Sequence, residues 1–293
     1  MVGSVNTDLT IAVPRLPREG ETILGGEAVR RAGGKGANQA VASARLGRRT
    51  GLVGRVGDDP EAGALLGRLA AEGVDTSAVA RAEGASGTAI ILLRDGESTI
   101  VVSPGANARL SEADVLAAGP ALRAARAVLL SLEVPVAAVA AAARVAGGLV
   151  VLNPAPARPL PAELLARVDV LVPNRQELAG LAVAPAAAGP GAVAEQARAL
   201  PGAGVVVVTL GGDGALVVTA DRAVHVPAEP ATVVDATAAG DGFCAALTDA
   251  LIGGAEVEAA ARWAARVAAA VVERPGAMDS LPTREQVLAR RAV

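Results

Sequence analysis

The sequence predicts an α/β protein with a mostly parallel sheet, helices on both faces of that sheet, and a second, smaller β-sheet. Short β-rich runs alternate with alanine-rich helical runs along most of the chain, as at 50–55 and then 60–72. This alternation is typical of βαβ units, in which a helix connects parallel strands. The alternation breaks at 9–29 and at 87–102, where strand-like runs follow one another without a helix. Those two segments predict hairpins that form the smaller sheet.

Helix caps and apolar runs define the elements of the predicted core. Asp59 followed by Pro60 is typical of a helix start, because a carboxylate accepts from free backbone N–H groups and proline fits the first turn. Thr283 with Gln286 forms a capping box, and Ser111 marks a further helix start. The core strands are expected at 50–55, 127–132, 149–152, 168–172 and 205–209, and helices at 37–46, 60–72, 136–145 and 243–251.

Each of the two helix-free segments contains a pair of strand-like runs. The first pairs LTIAV, which begins at Leu9, with TILGGEAV, which begins at Thr22. The second pairs TAIILL with STIVV across a turn that contains Asp95 and Gly96. A small sheet at the ligand-binding edge of an α/β core would act as a lid. Two plain surface hairpins explain the spacing equally well.

Composition and charge exclude several classes of protein. The 293 residues are 52% hydrophobic and carry a formal net charge of −3, so they can form one large core and have no basic field for nucleic acid. One cysteine and one histidine exclude a disulfide framework and a Cys/His zinc site. Pro135 and Arg144 interrupt the longest apolar run, 134–152, and no secretion signal begins the chain. A single domain over 1–293 is expected, in the cytoplasm, with neither nucleic acid nor membrane as its partner.

The segment 233–243, VVDATAAGDGF, predicts an anion site. A loop of small residues that enters a helix presents free backbone N–H groups and the positive end of the helix dipole, which suits a phosphate. Asp241, at the start of that helix, lies where an anion and a substrate hydroxyl would meet, as a phosphoryl-transfer base requires. The alternative is that Asp241 only caps the helix.

A second glycine loop, 33–39, contains the only lysine of the chain, Lys35. The loop completes neither G-x-x-x-x-G-K-[ST] nor G-x-G-x-x-G, which excludes a P-loop and a dinucleotide fingerprint, and with it a nicotinamide oxidoreductase. A close-approach turn with Asn38 in the first turn of the following helix suits a polyhydroxylated ligand. A plain surface loop is the alternative.

Two pairs of polar residues lie at the ends of predicted strands. Asn6 and Asp8 are two residues apart and point to one face, where an amide and a carboxylate can hold a vicinal diol. Asn174 and Glu177 are three apart on the first turn of a helix, and such oxygen ligands suit hydrated Mg²⁺. An Asx turn is the alternative for the first pair, and helix capping explains Asn174 equally well.

These segments follow one another in an order that is typical of one family. They are GSVNTD at 3–8, GET at 20–22, GGKGANQAV at 33–41, GDD at 57–59, NPAPA at 153–157, VPNRQE at 172–177, TLGGDG at 209–214 and VDATAAGDGF at 234–243. On these motifs the sequence resembles the PfkB-type carbohydrate kinases over essentially its whole length, and NPAPAR points to their ribose-specific members. The resemblance implies a three-layer α/β/α core with a mostly parallel sheet, and a β-sheet lid formed by about 9–31 and 86–104.

The resemblance also implies a reaction, the ATP-dependent transfer of a γ-phosphoryl group to the 5-hydroxyl of D-ribose. Asp241 would take the hydroxyl proton, and the backbone N–H groups of Ala238, Ala239, Gly240 and Asp241 would form the anion hole. With Asp241, the implied sugar-binding residues are Asn6, Asp8, Gly34, Lys35, Asn38 and Glu133. Those implied for Mg²⁺ and the phosphates are Asn174 and Glu177, and those for the nucleotide are Thr209, Gly211, Gly212, Gly214 and Gly240. An activating K⁺ would be held at Asp235, Thr237, Val271, Arg274, Gly276 and Ser280.

An apolar stripe on the lid predicts the state of assembly. Leu9, Ile11 and Val13 lie at alternate positions, as do Ile90 and Leu92, which would make one lid face apolar. The resemblance implies that two lids pack together across a two-fold axis, so a homodimer is expected. A monomer whose lid folds onto its own core is the alternative.

The sequence departs from the family pattern in four places. Gly242 stands where threonine is usual, Cys244 where asparagine is frequent, and Ala265 near the position of a histidine beside the adenine. The first strand starts only two residues before Gly3, so either the start is misassigned or the central strand is short. The same chemistry on deoxyribose, another sugar or a nucleoside is the first alternative function. A non-catalytic sugar-binding protein is less favoured, because Asp241 is present.

Overall fold

Two β-sheets organise the fold in the computed structural model, which describes residues 1–94, 97–202 and 204–290. The smaller sheet pairs two antiparallel hairpins through a parallel contact between β1 and β5, and its strands are β1 (Asn6–Ala12), β2 (Ala28–Gly33), β5 (Gly87–Arg94) and β6 (Glu97–Ser103). The strand order is β2-β1-β5-β6. We call this sheet the lid.

The first hairpin of the lid differs from its prediction. The run 22–29 was expected to pair with β1, but only its last two residues do so, as the start of β2, and 22–27 form no regular strand. Gly25 and Gly26 lie inside the predicted run, and residues without side chains form poor strands. The second hairpin forms over its predicted runs, and the predicted turn residues Asp95 and Gly96 lie outside the described residues.

The larger sheet is the mostly parallel core that the alternation of elements predicts. Its strands are β3 (Thr50–Val56), β4 (Val74–Arg81), β7 (Ala127–Ser131), β8 (Leu149–Asn153), β9 (Val170–Leu171), β10 (Val205–Thr209), β11 (Ala215–Val218) and β12 (Ala223–Val226). Strands β7 to β10 are parallel, and β11 and β12 add an antiparallel edge. The carboxyl ends of the parallel strands therefore meet at one edge, where α/β folds bind ligands.

A single residue occupies the central position of this sheet. Val2 forms parallel bridges with Val53 of β3 and with Leu130 of β7. These bridges join the β3-β4 pair to the six-stranded part of the sheet. The central strand is therefore very short, as one of the two interpretations of the sequence expects.

Helices cover both faces of the core sheet, which gives three layers. Along β7 and β8, Leu130 and Leu152 point to one face, and Leu129 and Val151 point to the other. The first face packs against α3 (Glu112–Ala117), α4 (Gly119–Ala124), α5 (Val136–Val145), α6 (Ala162–Leu165), α7 (Arg175–Ala182) and α8 (Pro190–Arg198). The second packs against α1 (Lys35–Arg45), α2 (Pro60–Ala71), α9 (Ala239–Ile252), α10 (Val257–Val272) and α11 (Arg284–Ala289). Within the described ranges, no helix is long and apolar enough to cross a membrane.

The predicted helix starts are confirmed. The carboxylate of Asp59 accepts from the Ala62 N–H at 3.0 Å, and Pro60 is the first residue of α2. Ser111 and Thr283 form capping boxes at the starts of α3 and α11. Local sequence signals, namely capping residues, therefore determine where these helices begin.

Candidate active site

A cavity of about 350 Å³ lies between the lid and the carboxyl ends of the core strands. Apolar lid residues, among them Ile91 and Ile100, form one wall, and polar residues from the core loops form the other. A larger cavity of about 610 Å³ lies beside Thr50 and Ala127, at the amino ends of β3 and β7. That second cavity contains none of the residues that the sequence singles out.

Asp241 lies at the base of the smaller cavity, and the expectation that it caps its helix is wrong. Helix α9 begins at Ala239 behind an Ala238 cap that contributes no side-chain bond, and Asp241 is the third residue of the helix. Its side chain is 5% exposed. Two amides of α1 hold the carboxylate, because Asn38 Nδ2 donates to Oδ2 and Gln39 Nε2 donates to Oδ1, both at 2.9 Å. The helix end thus remains open, and the carboxylate is fixed from a neighbouring helix.

Backbone N–H groups point into the same space from the start of α9. The N–H groups of Gly240 and Asp241 have no acceptor among the described residues, while the Ala239 N–H makes a long bond of 3.3 Å to Ala236 O. Ala238 adopts a left-handed conformation with φ of 62°. A residue with a side chain costs free energy in this conformation, and such strain is typical of functional loops. The local geometry is that of an anion site at a helix N-terminus.

Polar groups from three elements gather above Asp241. Glu133, after β7, accepts from Ser4 Oγ, from Asn6 Nδ2 at 3.4 Å and from the Lys35 N–H at 3.2 Å. Asp8 of β1 is 8% exposed and faces this cluster. A cluster that mixes amide, carboxylate and ammonium groups at a closed wall suits a ligand with several hydroxyl groups.

Glycines in the second loop make room for this cluster. A Cβ atom on Gly33 would lie 2.0 Å from Asp8 Oδ2, so a side chain there would displace the carboxylate. Gly34 lines the cavity with a φ of 90°, a left-handed conformation that glycine adopts without strain. The close-approach turn that the sequence predicts is thus present, and the plain surface loop is excluded by the burial of Asn38.

Charges in the cavity influence one another strongly. Burial, with the nearby carboxylates of Glu133 and Asp241, raises the pKa of Asp8 to about 7. Burial acts to lower the pKa of Lys35, but the carboxylates of Asp241, Glu133 and Glu177 raise it. The lysine is therefore the cation that balances a group of carboxylates.

Asn174 and Glu177 form the helix cap that was their alternative interpretation. Asn174 Oδ1 accepts from the Glu177 N–H and Glu177 Oε2 accepts from the Asn174 N–H, both at 2.8 Å. Both residues also line the cavity. Burial raises the pKa of Glu177, opposed by the Asn174 hydrogen bond and by Lys35. Because Oε1 takes no part in the cap, the pair can serve both purposes.

The segment 209–214 lies beside this pair. Thr209 lines the cavity and forms a bridge with Asn174, and Gly211 and Gly212 are exposed in a short 3-10 helix next to it. Gly214 is buried away from the cavity, where a Cβ atom would lie 2.1 Å from Val226 O. The structure thus gives Gly214 a packing role.

The residues expected around a monovalent cation lie on two neighbouring loops. The Asp235 carboxylate joins these loops, because it accepts from the Thr237 N–H at 2.9 Å and from the Gly276 N–H at 2.8 Å. Burial acts to raise the pKa of Asp235, but these hydrogen bonds outweigh it and lower the pKa. Ser280 is fully buried and bonds to Ala277 O.

The other two predicted residues of the cation loops have protein partners. Val271 is buried, and its carbonyl accepts from the Arg274 N–H. The Arg274 side chain turns away to Gln286. In the described part of the chain, no group of three or more His, Cys, Asp or Glu residues could hold a metal. A cation here would therefore depend on backbone carbonyl groups together with Asp235.

Sequence reasoning missed two residues that orient the site. Asn107 Nδ2 donates to Asn6 Oδ1 at 2.7 Å, so the Asn6 amide points its own Nδ2 toward Glu133. Gln39 holds Asp241 from behind. Asparagine is rare in this chain, which was a usable signal for Asn107, whereas Gln39 could be recognised only by its place next to Asn38.

Comparisons with known proteins find relatives that match nearly the whole chain. The model of the pfkB family of carbohydrate kinases matches residues 1–284. The ribokinase of Bacillus subtilis is 38% identical over 98% of this chain and 97% of its own length, and the deoxyribokinase of Salmonella typhi is 35% identical over 98% and 96%. A structure of Arabidopsis thaliana ribokinase complexed with ribose and ATP superposes with a TM-score of 0.87 at 34% identity, and it covers 98% of this chain and 96% of that one.

The fold and the site together define an ATP-dependent sugar kinase. The chain belongs to the pfkB family of carbohydrate kinases.

Proposed function

We propose that the protein transfers the γ-phosphoryl group of ATP to the 5-hydroxyl of D-ribose, with Asp241 as the general base. One observation carries this proposal: a buried carboxylate that does not cap its helix lies between a sugar-sized polar cluster and the free N–H groups of Gly240 and Asp241. As the new O–P bond forms, the hydroxyl proton passes to Asp241, and the bond to ADP breaks. The N–H groups stabilise the negative charge of the transferred group.

The sugar-binding part of the proposal rests on the polar cluster. Asn6, Asp8 and Asn38 would bond to the sugar hydroxyls, and Glu133 would hold them in place with its bonds to Asn6 and to the loop at Lys35. Lys35 would also attract the phosphate. Relatives named ribokinase support ribose over deoxyribose, although a deoxyribokinase matches at nearly the same identity.

The substitution Asp241→Asn tests the base. It keeps the shape of the side chain but cannot accept a proton, and it can keep only one of the two hydrogen bonds from Asn38 and Gln39, so kcat should fall by about 10²- to 10⁴-fold while the affinity for ribose changes little. Coupled detection of ADP release measures kcat, and calorimetry measures ribose affinity. A variant that keeps most of its kcat would overturn the assignment of Asp241. Parallel assays with 2-deoxyribose, fructose and adenosine decide between acceptors.

Mg²⁺ and the nucleotide belong to the other half of the cavity. Asn174 and Glu177 offer oxygen ligands of the kind that hydrated Mg²⁺ prefers, and Thr209 with Gly211 and Gly212 would contact the nucleotide. Mg²⁺ would neutralise phosphate charge during transfer. These residues would hold the metal through its waters, because the cap already uses one oxygen of each side chain.

K⁺ would bind between the two loops that Asp235 joins. The fit rests on a carboxylate with a lowered pKa and on the carbonyl groups of the surrounding loops at Thr237, Val271, Arg274, Gly276 and Ser280. A bound cation would strengthen the field of the anion hole without contacting the sugar. Exchange of K⁺ for tetramethylammonium should lower kcat, and Asp235→Ala should abolish that difference.

We also propose a cytoplasmic homodimer that acts on small molecules, with neither nucleic acid nor membrane as partner. The net charge of −3 and the single cysteine support this setting, since a nucleic-acid surface would be basic and a secreted chain would favour disulfides. The exposed apolar residues of the lid, among them Ile90 and Val101, support the dimer.

A further inference from the structure

Gln39 is a fully buried amide that the proposed chemistry does not use directly. It belongs to α1, is 0% exposed and is absent from the cavity lining that contains Asn38 and Asp241. Its Nε2 donates to Asp241 Oδ1 at 2.9 Å and to Asn153 Oδ1 at 3.2 Å. Because Nε2 of this buried side chain donates to two oxygen acceptors, the orientation of the Gln39 amide is defined.

Asn153 fixes that orientation from the end of β8. Its Nδ2 donates to Val172 O at 2.9 Å, so its Oδ1 is turned toward Gln39 as an acceptor. The Gln39 amide therefore cannot rotate by half a turn without placing its Oε1 against two oxygen acceptors. That Oε1 has no partner among the described residues.

We propose that Gln39, oriented by Asn153, is a positioning residue that holds the base Asp241 aimed at the substrate hydroxyl. This proposal rests on the function proposed for Asp241. An N–H donor stabilises a carboxylate that accepts, and it opposes protonation of the same oxygen. Because the donor is neutral, it orients the base without forming an ion pair with it.

Asn38 and Gln39 each donate a hydrogen bond to a different oxygen of the Asp241 carboxylate. Asn38 bonds to Oδ2 from within the cavity, where it can also contact substrate, and Gln39 bonds to Oδ1 from behind. Loss of Gln39 should leave the sugar-binding surface intact. Its effect should therefore appear in kcat and in the pH dependence of kcat.

The substitution Gln39→Met tests this, because methionine has a similar length and no donor. We expect kcat at neutral pH to fall about 10- to 100-fold, the acidic limb of the kcat–pH profile to move to higher pH, and KM for ribose to stay within about twofold. Gln39→Glu should move the acidic limb further, because it adds a like charge beside Asp241. Ser43→Ala, one turn along the same helix, is the matched control and should leave the profile unchanged.

A second variant keeps the test decisive if Gln39→Met fails to fold. Asn153→Leu removes the acceptor that orients Gln39, together with the donor to Val172 O, and it should move the acidic limb in the same direction by a smaller amount. Unchanged profiles and kcat in the folded variants would overturn the positioning role. If Asp241→Asn keeps its kcat, the base itself is wrong; if it loses kcat while Gln39→Met behaves as wild type, only the role of Gln39 fails.

Discussion

At the scale of single residues, the site consists of polar side chains held by partners outside the cavity. Asn107 orients Asn6, Gln39 orients Asp241, and Gly33 leaves space for Asp8. Each of these supports is buried, so the cost of a misplaced polar group is high. The arrangement keeps several carboxylates close together before any substrate binds, and this crowding affects stability.

Asp8 should make the folded protein less stable as the pH rises. Its pKa is raised to about 7 in the folded state by burial, Glu133 and Asp241, whereas the unfolded chain has its ordinary value near 4. Between those values the folded state binds the extra proton, so the free energy of unfolding falls as pH rises to about 7 and is then constant. Asp8→Asn should therefore raise stability at pH 8, by at most about 4 kcal/mol, and have little effect at pH 4.

Urea unfolding of both proteins at the two pH values measures this difference. Asp75→Asn is the control, because hydrogen bonds to Ser77 lower the pKa of this exposed carboxylate, so its small effect should have the opposite sign. A stabilisation by Asp8→Asn that is equal at both pH values would contradict the raised pKa.

Gly242 is one of the departures from the family pattern, and we expect that the nearby side chain of Val271 leaves no space for a larger residue at this position. A Cβ atom on Gly242 would lie 2.9 Å from Val271 Cγ2. Gly242→Ala should gain about 1 kcal/mol in helix propensity but lose about 1–3 kcal/mol to overpacking, with a net loss of stability. Combined with Val271→Ala, it should cost less than the sum of the two single changes. Chemical denaturation of the four proteins gives this coupling energy.

Gly63→Ala supplies the comparison for Gly242, because it is also a helical glycine and no atom lies within 4 Å of its added Cβ. This change should raise the unfolding free energy by up to about 1 kcal/mol. Additive effects of Gly242→Ala and Val271→Ala would show that Val271 does not account for the glycine.

Much of the candidate site was predictable from residue types, and its supports were not. Asn6, Asp8, Asn38 and Asp241 all lie in one cavity, because strand and helix periodicity fixes which side chains share a face. The choice between base and cap at Asp241 depended on the position of the Asn38 and Gln39 amides, which no local pattern of α9 contains. Long-range partners of this kind are set by packing.

At the scale of elements, the connection between core and lid depends on the GDD segment. Asp59 caps α2 through Ala62, and it also accepts from the N–H of Ser86 at 2.6 Å and from its hydroxyl at 2.7 Å, next to the start of β5. One carboxylate thus fixes a core helix and a lid strand together. The motif has a structural role that its residue types alone did not reveal.

Asp59→Ala should lower the free energy of unfolding by about 2–3 kcal/mol, since it removes a helix cap and two hydrogen bonds to a charged group. Burial acts to raise the pKa of Asp59, but hydrogen bonds from Ser86 and Ala62 hold it below its ordinary value. The stabilisation is therefore present above about pH 4 and is lost as pH falls through the folded pKa.

Thermal unfolding at pH 7 and pH 3 checks this prediction, with Asp58→Ala as the control. Within the described residues, the Asp58 carboxylate accepts one hydrogen bond, from the Gly84 N–H at 2.6 Å, so its loss should cost less. If the two variants were equally stable at pH 7, the double role of Asp59 would be wrong.

The elements themselves were largely predictable, with one instructive exception. Runs of apolar residues and caps indicated β3, α2, β7, α5 and β10 to within a few residues, because each is stabilised by its own sequence. The first lid hairpin forms, but its second strand begins only at Ala28, near the end of the predicted run 22–29, and continues to Gly33. Where the second strand of a hairpin begins depends on which residues are buried against the rest of the protein, and the local sequence does not determine this.

At the scale of the whole molecule, the lid has two faces with different surroundings. Ile91 and Ile100 line the cavity, and alternation turns their neighbours to the outer side. There, Leu9 pairs with Ile90, and Ile90 with Val101. Ile90 is 40% exposed and Val101 64% exposed, so the outer stripe of the lid is apolar and open. A four-stranded sheet with such a face is better stabilised by a partner.

We expect two lids to pack through this outer stripe, which makes the protein a homodimer of twice the 28.7 kDa chain mass. An isologous contact buries the same stripe in both copies, so one change acts twice. The pair Ile90→Glu and Val101→Glu should give a monomer in sedimentation at micromolar concentration and should raise KM for ribose, because β1 carries Leu9 on the contact and Asp8 on the cavity side. Leu116→Glu, on α3 and 48% exposed, should leave the dimer intact. A wild-type protein that sediments only as a monomer, with and without ribose, would refute the contact.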